Sequence, residues 1–93
     1  MKYRLETSLE AAHDVETILN ILDTQGGRPA VNQWTNNWLY FREKIINYHL
    51  ASRPSIQTSE GEIFVFRPRS WNYEFFYTVE NDLIRNIAIR KYR

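Results

Sequence analysis

The chain has 93 residues, enough for one domain, and 43% of them are hydrophobic, which can supply a core. It contains no cysteine, which excludes disulfides, thiolate catalysis and zinc sites built on cysteine. Its net charge is +1 and no apolar run approaches the ~20 residues that a membrane span needs, so we expect a single cytoplasmic domain over residues 1–93.

The first half of the chain predicts a short strand followed by two helices. Residues 2–6 alternate in the manner of a strand. Thr7 and Glu10 form a T-x-x-E capping box at the start of a first helix. Gly26 and Gly27 are expected to end that helix, and Pro29 suits the first turn of the next one. Two helices joined by a Gly-Gly turn are expected to form an antiparallel hairpin.

The second helix carries the clearest periodic signal in the sequence. Its apolar residues follow one another at alternating spacings of three and four, which places them on one face of a helix. This pattern favours core packing over a cofactor site. The seam consists of Val31, Trp34, Trp38, Phe41, Ile45 and Tyr48.

The second half of the chain predicts strands. Residues 51–61 are rich in serine and contain Pro54 and Gly61, which indicates a surface loop. Strands are expected at 62–68, 73–79 and 83–90, with a turn at 80–82 and with Ile87 and Ile89 on one face. Short connections imply a three-stranded antiparallel meander. The predicted class is therefore α+β, with the helices on one face of the sheet.

The strong signatures of catalysis are missing from the sequence. Three glycines cannot form a phosphate-binding or dinucleotide-binding loop, and no nucleophile elbow occurs. His13 and His49 lack the spacing of paired metal ligands. We therefore expect neither a metal nor a cofactor.

A basic and aromatic group remains near the C-terminal end. Arg67, Arg69, Trp71 and Tyr73 surround one predicted turn, and Arg90-Lys91-Tyr92-Arg93 follows the last strand. Guanidinium groups suit phosphate or an acidic partner surface, and aromatic faces suit stacked bases. Alternatively, Trp71 and Tyr73 belong to the turn and core, and the arginines keep the sheet soluble. The residue pattern leaves both interpretations open.

Three segments together resemble the RelE/ParE superfamily of small bacterial toxins. The opening YRLETSLEAAHDVETILNIL resembles the first strand and helix of that family. The segment AVNQWTNNWLYFREKIINYHLASRPSI resembles its second helix and the exit through an R-P loop. The segment NYEFFYTVENDLIRNIAIRKYR resembles its Y-R-h-x-Y-x-V hairpin, acidic turn, last strand and basic C-terminus.

The resemblance implies the toxin of a type II toxin–antitoxin system, which binds a cognate antitoxin as a hetero-oligomer and inhibits growth when free. Two branches differ in their targets. The ParE branch inhibits DNA gyrase by binding it. The RelE branch is a metal-independent endoribonuclease that cuts mRNA on the ribosome with basic residues and a tyrosine.

Two features separate this chain from the nuclease branch: Glu74, and the absence of that branch's paired lysines from residues 62–66. Glu74 occupies the position of a catalytic arginine there, and a carboxylate repels a scissile phosphate. We therefore favour a ParE-like binding protein over an enzyme. A nuclease set is implied only if Arg67, Arg69, Arg90 and Tyr92 form an altered site, and an inactive or repurposed member is the third alternative. The residues expected to bind the target are Arg67, Arg69, Arg90, Lys91, Tyr92 and Arg93.

Overall fold

A computed structural model of the chain describes residues 3–48, 55–59 and 61–92. Its elements follow the expected α+β order, and the predicted strands occur within about two residues of their expected bounds. In chain order the elements are β1 (Arg4–Thr7), α1 (Leu9–Tyr48), β2 (Ser55–Thr58), β3 (Gly61–Phe66), β4 (Tyr73–Glu80) and β5 (Leu83–Lys91).

The N-terminus of α1 is capped one residue later than the sequence predicts. The Ser8 hydroxyl accepts a hydrogen bond from the N–H of Ala11 at 3.0 Å, which satisfies one of the free amides of the first turn. The N–H of Ser8 itself donates to the Asn86 carbonyl at 3.0 Å. The start of the helix is therefore held against β5.

The predicted break between two helices is confirmed at Gly27, although the two helical segments run on from one another within α1 without an intervening loop. Gly27 has φ 68° and ψ −161°, which are not helical values and are accessible in practice only to glycine. A straight helix of this length would extend about 60 Å, whereas the longest dimension of the molecule is 39 Å. The helix therefore changes direction at Gly27, two residues before Pro29.

The sheet is larger than the expected meander and is mixed. Its five strands lie in the order β1-β5-β4-β3-β2. β1 pairs with β5 in parallel, with Arg4 opposite Leu83, and the other pairs are antiparallel. The segment expected to be a loop contains β2, whose Ser-Ile-Gln-Thr sequence has too few apolar residues to predict a strand. β2 is an edge strand of the sheet, and most of its residues are exposed.

A β-bulge interrupts the strand alternation that the sequence predicts for β5. Phe76 lies opposite Ala88 and Tyr77 lies opposite Asn86, so Ile87 is an additional residue in β5. Asn86 is buried, and its side-chain amide donates to the carbonyls of Phe76 and Ala88, both at 2.9 Å. Asn86 therefore occupies the core face together with Ile89. Simple strand alternation predicts Ile87 in that position.

The core lies between α1 and one face of the sheet. Residues from both sides of the Gly27 break contribute to it, together with inward-facing residues of β3, β4 and β5. The predicted seam is confirmed at Trp34, Phe41 and Ile45, which are buried. The buried cluster comprises Val15, Trp34, Phe41, Ile45, Phe64, Trp71, Phe75, Tyr77, Ile84 and Ile89.

Candidate functional site

The end of β5 is fixed to the connection between β3 and β4. The N–H of Tyr92 donates to the Asn72 carbonyl at 3.0 Å. Its hydroxyl donates to the Trp71 carbonyl at 3.1 Å. The expected turn cluster and the expected C-terminal cluster are thus in contact, because β5 pairs with β4.

Arg67 and Tyr92 come together beside a buried carboxylate. The Arg67 guanidinium carbon lies 4.6 Å from the centre of the Tyr92 ring, a cation–π distance. Arg67 Nε also donates to Glu74 Oε2 at 2.7 Å. Glu74 is only 7% exposed, although the strand alternation places it on the face away from the core. Its partner Arg67 has 56% of its side chain exposed.

Arg90 lies opposite Glu74 in the β4–β5 register but bonds elsewhere. Its Nη1 donates to Asp14 Oδ1 of α1 at 2.8 Å. The other oxygen, Asp14 Oδ2, accepts the N–H of Ile89 at 3.0 Å. β1 covers β5 only as far as Asn86, so Asp14 satisfies an amide of the uncovered edge beyond it.

The remaining predicted site residues do not join this cluster. Arg69 is exposed in the turn before Trp71. Lys91 lies opposite Tyr73 and therefore faces the helix side of the sheet. Arg93 lies outside the described residues. The structure thus brings together Arg67 and Tyr92, while the basic residues of the C-terminal end diverge to two faces.

Lys91 faces a groove of about 360 Å³ between α1 and the ends of β4 and β5. The buried side chains of Trp34 and Trp71 line its inner part, and amide side chains line it together with the lysine ammonium. Both tryptophans are core residues, and their ring centroids lie 5.3 Å apart. For Trp71 this agrees with the interpretation that it belongs to the turn and core. The lining residues are Leu22, Ala30, Gln33, Trp34, Asn37, Ser70, Trp71, Asn72, Tyr73 and Lys91.

The Tyr73 hydroxyl has a shifted pKa in this groove. Burial raises the pKa of Tyr73 above its usual value because it disfavours the phenolate, and the Trp34 side chain acts more weakly in the opposite direction. Tyr73 therefore stays protonated at neutral pH and is available as a hydrogen-bond donor.

This pKa shift predicts an alkaline loss of stability. Above about pH 10 the unfolded chain loses the Tyr73 proton more readily than the folded chain, so the free energy of unfolding falls as the pH rises. Replacing Tyr73 with phenylalanine should reduce that fall. Urea unfolding of both proteins at about pH 8 and about pH 11 measures the difference. Equal losses in the two proteins would contradict the prediction.

Two acidic residues complete the site and were not predicted as part of it. The sequence singles out Glu74 as a departure from the family motif, but it does not predict the ion pair of Glu74 with Arg67. Asp14 belongs to the family-like opening segment, yet its contact with Ile89 and Arg90 joins residues about 75 positions apart in the chain. No local pattern indicates such a contact.

The described residues contain no group of three or more histidine, aspartate or glutamate side chains placed to hold a metal ion. Within the same ranges, no helix has the length and apolar character needed to cross a membrane.

Comparison with known proteins identifies the fold. No protein-family model matches the chain, and no curated protein matches it. A solved structure described as the chromosomal ParDE TA system from P. aeruginosa contains a chain that is 14% identical. The alignment covers 99% of this chain and 98% of that one, with a TM-score of 0.78. This likeness confirms the fold expected from the RelE/ParE resemblance.

Proposed function

We propose that the chain is the toxin of a type II toxin–antitoxin system of the ParE-like branch. In this proposal it inhibits DNA gyrase by protein binding, and a cognate antitoxin neutralises it in a hetero-oligomer. The likeness to a chain of a ParDE system over the whole length supports the assignment to such a system. The residues proposed to contact the target are the segment 90–93 together with Arg67 and Arg69, and of these Lys91 lies on the helix side of the sheet while Arg90 lies on the other side.

The observation that carries the choice of branch is the ion pair between Glu74 and Arg67. A nuclease of this fold needs cations at that point to hold a scissile phosphate, whereas here a buried carboxylate bonds the nearest guanidinium at 2.7 Å. That arrangement neutralises Arg67 and repels a phosphate. The hydroxyl of Tyr92 also donates to a backbone carbonyl. These contacts favour a binding protein over a phosphodiesterase.

An antitoxin has a suitable surface on the sheet. β2 is an edge strand, and its Ile56 side chain is 53% exposed. The backbone groups along an exposed edge and a nearby apolar side chain are features that a partner strand or an amphipathic helix covers. We expect the antitoxin to bury part of this edge.

The proposal is tested by replacing Arg90, Lys91 and Arg93 with alanine. The variant should lose growth inhibition when expressed alone and should lose gyrase inhibition in a supercoiling assay, because its cations no longer contact the target. Pulse labelling after induction of the wild type should show DNA synthesis falling before protein synthesis. Circular dichroism checks that the helix content of the variant is unchanged.

A matched control removes the same charge elsewhere. Arg4, Arg28 and Arg85 are exposed and lie outside the C-terminal segment, and the triple alanine variant at these positions should remain toxic. Toxicity that survives in the C-terminal variant would contradict the proposed surface. An early fall in protein synthesis with cut mRNA, abolished by Tyr92→Phe or Arg69→Ala, would instead support the ribosome-dependent nuclease.

A further inference from the structure

We infer that Glu74 is a positioning residue that holds the C-terminal segment, residues 90–92, in its binding conformation through Arg67. The inference rests on the proposed function in one respect, namely that this segment contacts the target. It extends that function to a residue that does not contact the target itself.

The first step is the burial of the Glu74 carboxylate. Its side chain is only 10% exposed, and an ionised carboxylate so far removed from water is costly unless it is paired and hydrogen-bonded. Arg67 supplies that pairing through Nε at 2.7 Å. Arg90, which lies opposite Glu74 in the β4–β5 register, bonds Asp14 instead. The conformation of Arg67 is therefore tied to the carboxylate beneath it.

The second step is the position of Arg67 in the chain. It follows β3 and precedes the connection to β4, and more than half of its side chain is exposed to solvent. A long side chain in such a place has many accessible rotamers. The bond to Glu74 selects the one that places the guanidinium over the Tyr92 ring at 4.6 Å.

The third step is the position of Tyr92. It follows Lys91, the last residue of β5, and its N–H extends the β4–β5 pairing by one step through the Asn72 carbonyl at 3.0 Å. Its bonds to Asn72 and Trp71 join it to the same connection that Arg67 enters. Glu74, Arg67 and Tyr92 therefore form one series of contacts, which we call the latch. Loss of the Glu74 charge should increase the mobility of Tyr92.

The test is amide hydrogen exchange in Glu74→Gln, measured by NMR on the full chain. Glutamine keeps the shape of glutamate and removes the charge. We expect the Tyr92 amide to exchange about tenfold faster, since a charge-assisted bond and a cation–π contact are both weakened. The Ile84 amide, in the part of β5 that lies between β1 and β4, should change by less than about threefold. Glu6→Gln is the matched control, since Glu6 pairs with Arg85 at 3.1 Å with both side chains half exposed, and it should leave Tyr92 unchanged.

Arg67→Gln provides a second variant if Glu74→Gln does not fold, because Arg67 is largely exposed. It should accelerate Tyr92 exchange to the same extent, and the double variant should match either single one, since all three break the same contact. Unchanged Tyr92 exchange would overturn the inference. Equal acceleration at Tyr92 and Ile84 would also overturn it, because it would indicate a general loss of stability.

Binding to purified gyrase separates this inference from the proposed function. A several-fold weaker affinity of Glu74→Gln, together with faster Tyr92 exchange, supports the positioning role. Faster exchange with wild-type affinity overturns it. Wild-type protein that shows no gyrase binding, while Tyr92 exchange still responds to Glu74, refutes the proposed target and leaves the latch supported.

Discussion

Replacement of Trp71 with alanine is expected to lower the free energy of unfolding by about 3–5 kcal/mol. Trp71 is 8% exposed although it lies in the connection between β3 and β4. Its ring packs against four aromatic rings with centroid separations between 5.1 and 5.8 Å, which joins helix, strand and connection at one point. These rings belong to Trp34, Phe41, Tyr73 and Phe75.

Urea unfolding followed by far-ultraviolet circular dichroism measures this loss without depending on tryptophan fluorescence. Trp71→Phe should lose less stability, because it retains part of the ring contacts. Tyr40→Ala is the control, since Tyr40 is 56% exposed and should cost below about 1 kcal/mol. A similar cost for the Trp71 and Tyr40 variants would show that the connection is not part of the core.

Asp14→Ala is expected to cost about 2–3 kcal/mol. The Asp14 side chain is only 16% exposed, and it accepts hydrogen bonds from a backbone amide and from a guanidinium. Its removal leaves the Ile89 N–H at the edge of β5 without this acceptor and releases Arg90. Both losses act on the strand that leads into the proposed binding segment.

Asp82→Ala provides the contrasting measurement. Asp82 also pairs with an arginine, Arg4, but at 3.3 Å and with about half of its side chain exposed. Such a surface pair should contribute below about 1 kcal/mol and should weaken further in salt. Equal costs for the two substitutions in urea unfolding would mean that the bond to the Ile89 amide adds nothing to the stability of the edge.

Regular patterns in the sequence predicted much of the fold. The period of three and four placed Trp34, Phe41 and Ile45 in the core, and alternation located β3, β4 and β5. The corrections arise where tertiary contacts override local pattern. β1 pairs in parallel with a distant strand, β2 forms without an apolar face, and Asn86 occupies a core position because a bulge changes the register.

The basic and aromatic members of the candidate site were predictable, but its two acidic members and its arrangement were not. Arg67 and Tyr92 meet because β3 and β5 flank β4, which the two predicted hairpins indicate. Lys91 faces the side of the sheet opposite to that of Arg90, which follows from strand alternation. The ion pair of Glu74 with Arg67 was not predicted, although Phe66 pairs with Phe75 and the next residues along the two chain segments are Arg67 and Glu74. The contact of Asp14 with β5 depends on the path of α1 along the edge of the sheet.

The parallel pair of β1 and β5 has a consequence for synthesis of the protein in the cell. β1 precedes its partner β5 by the whole of α1, β2, β3 and β4, so the two strands remain unpaired until all of these elements have been synthesised. Contacts this distant in sequence close slowly, because the loop entropy is lost before the strands are stabilised. Asp14 likewise reaches Ile89 and Arg90 only at that stage. The proposed binding segment therefore takes its place only after β5 has paired with both β1 and β4.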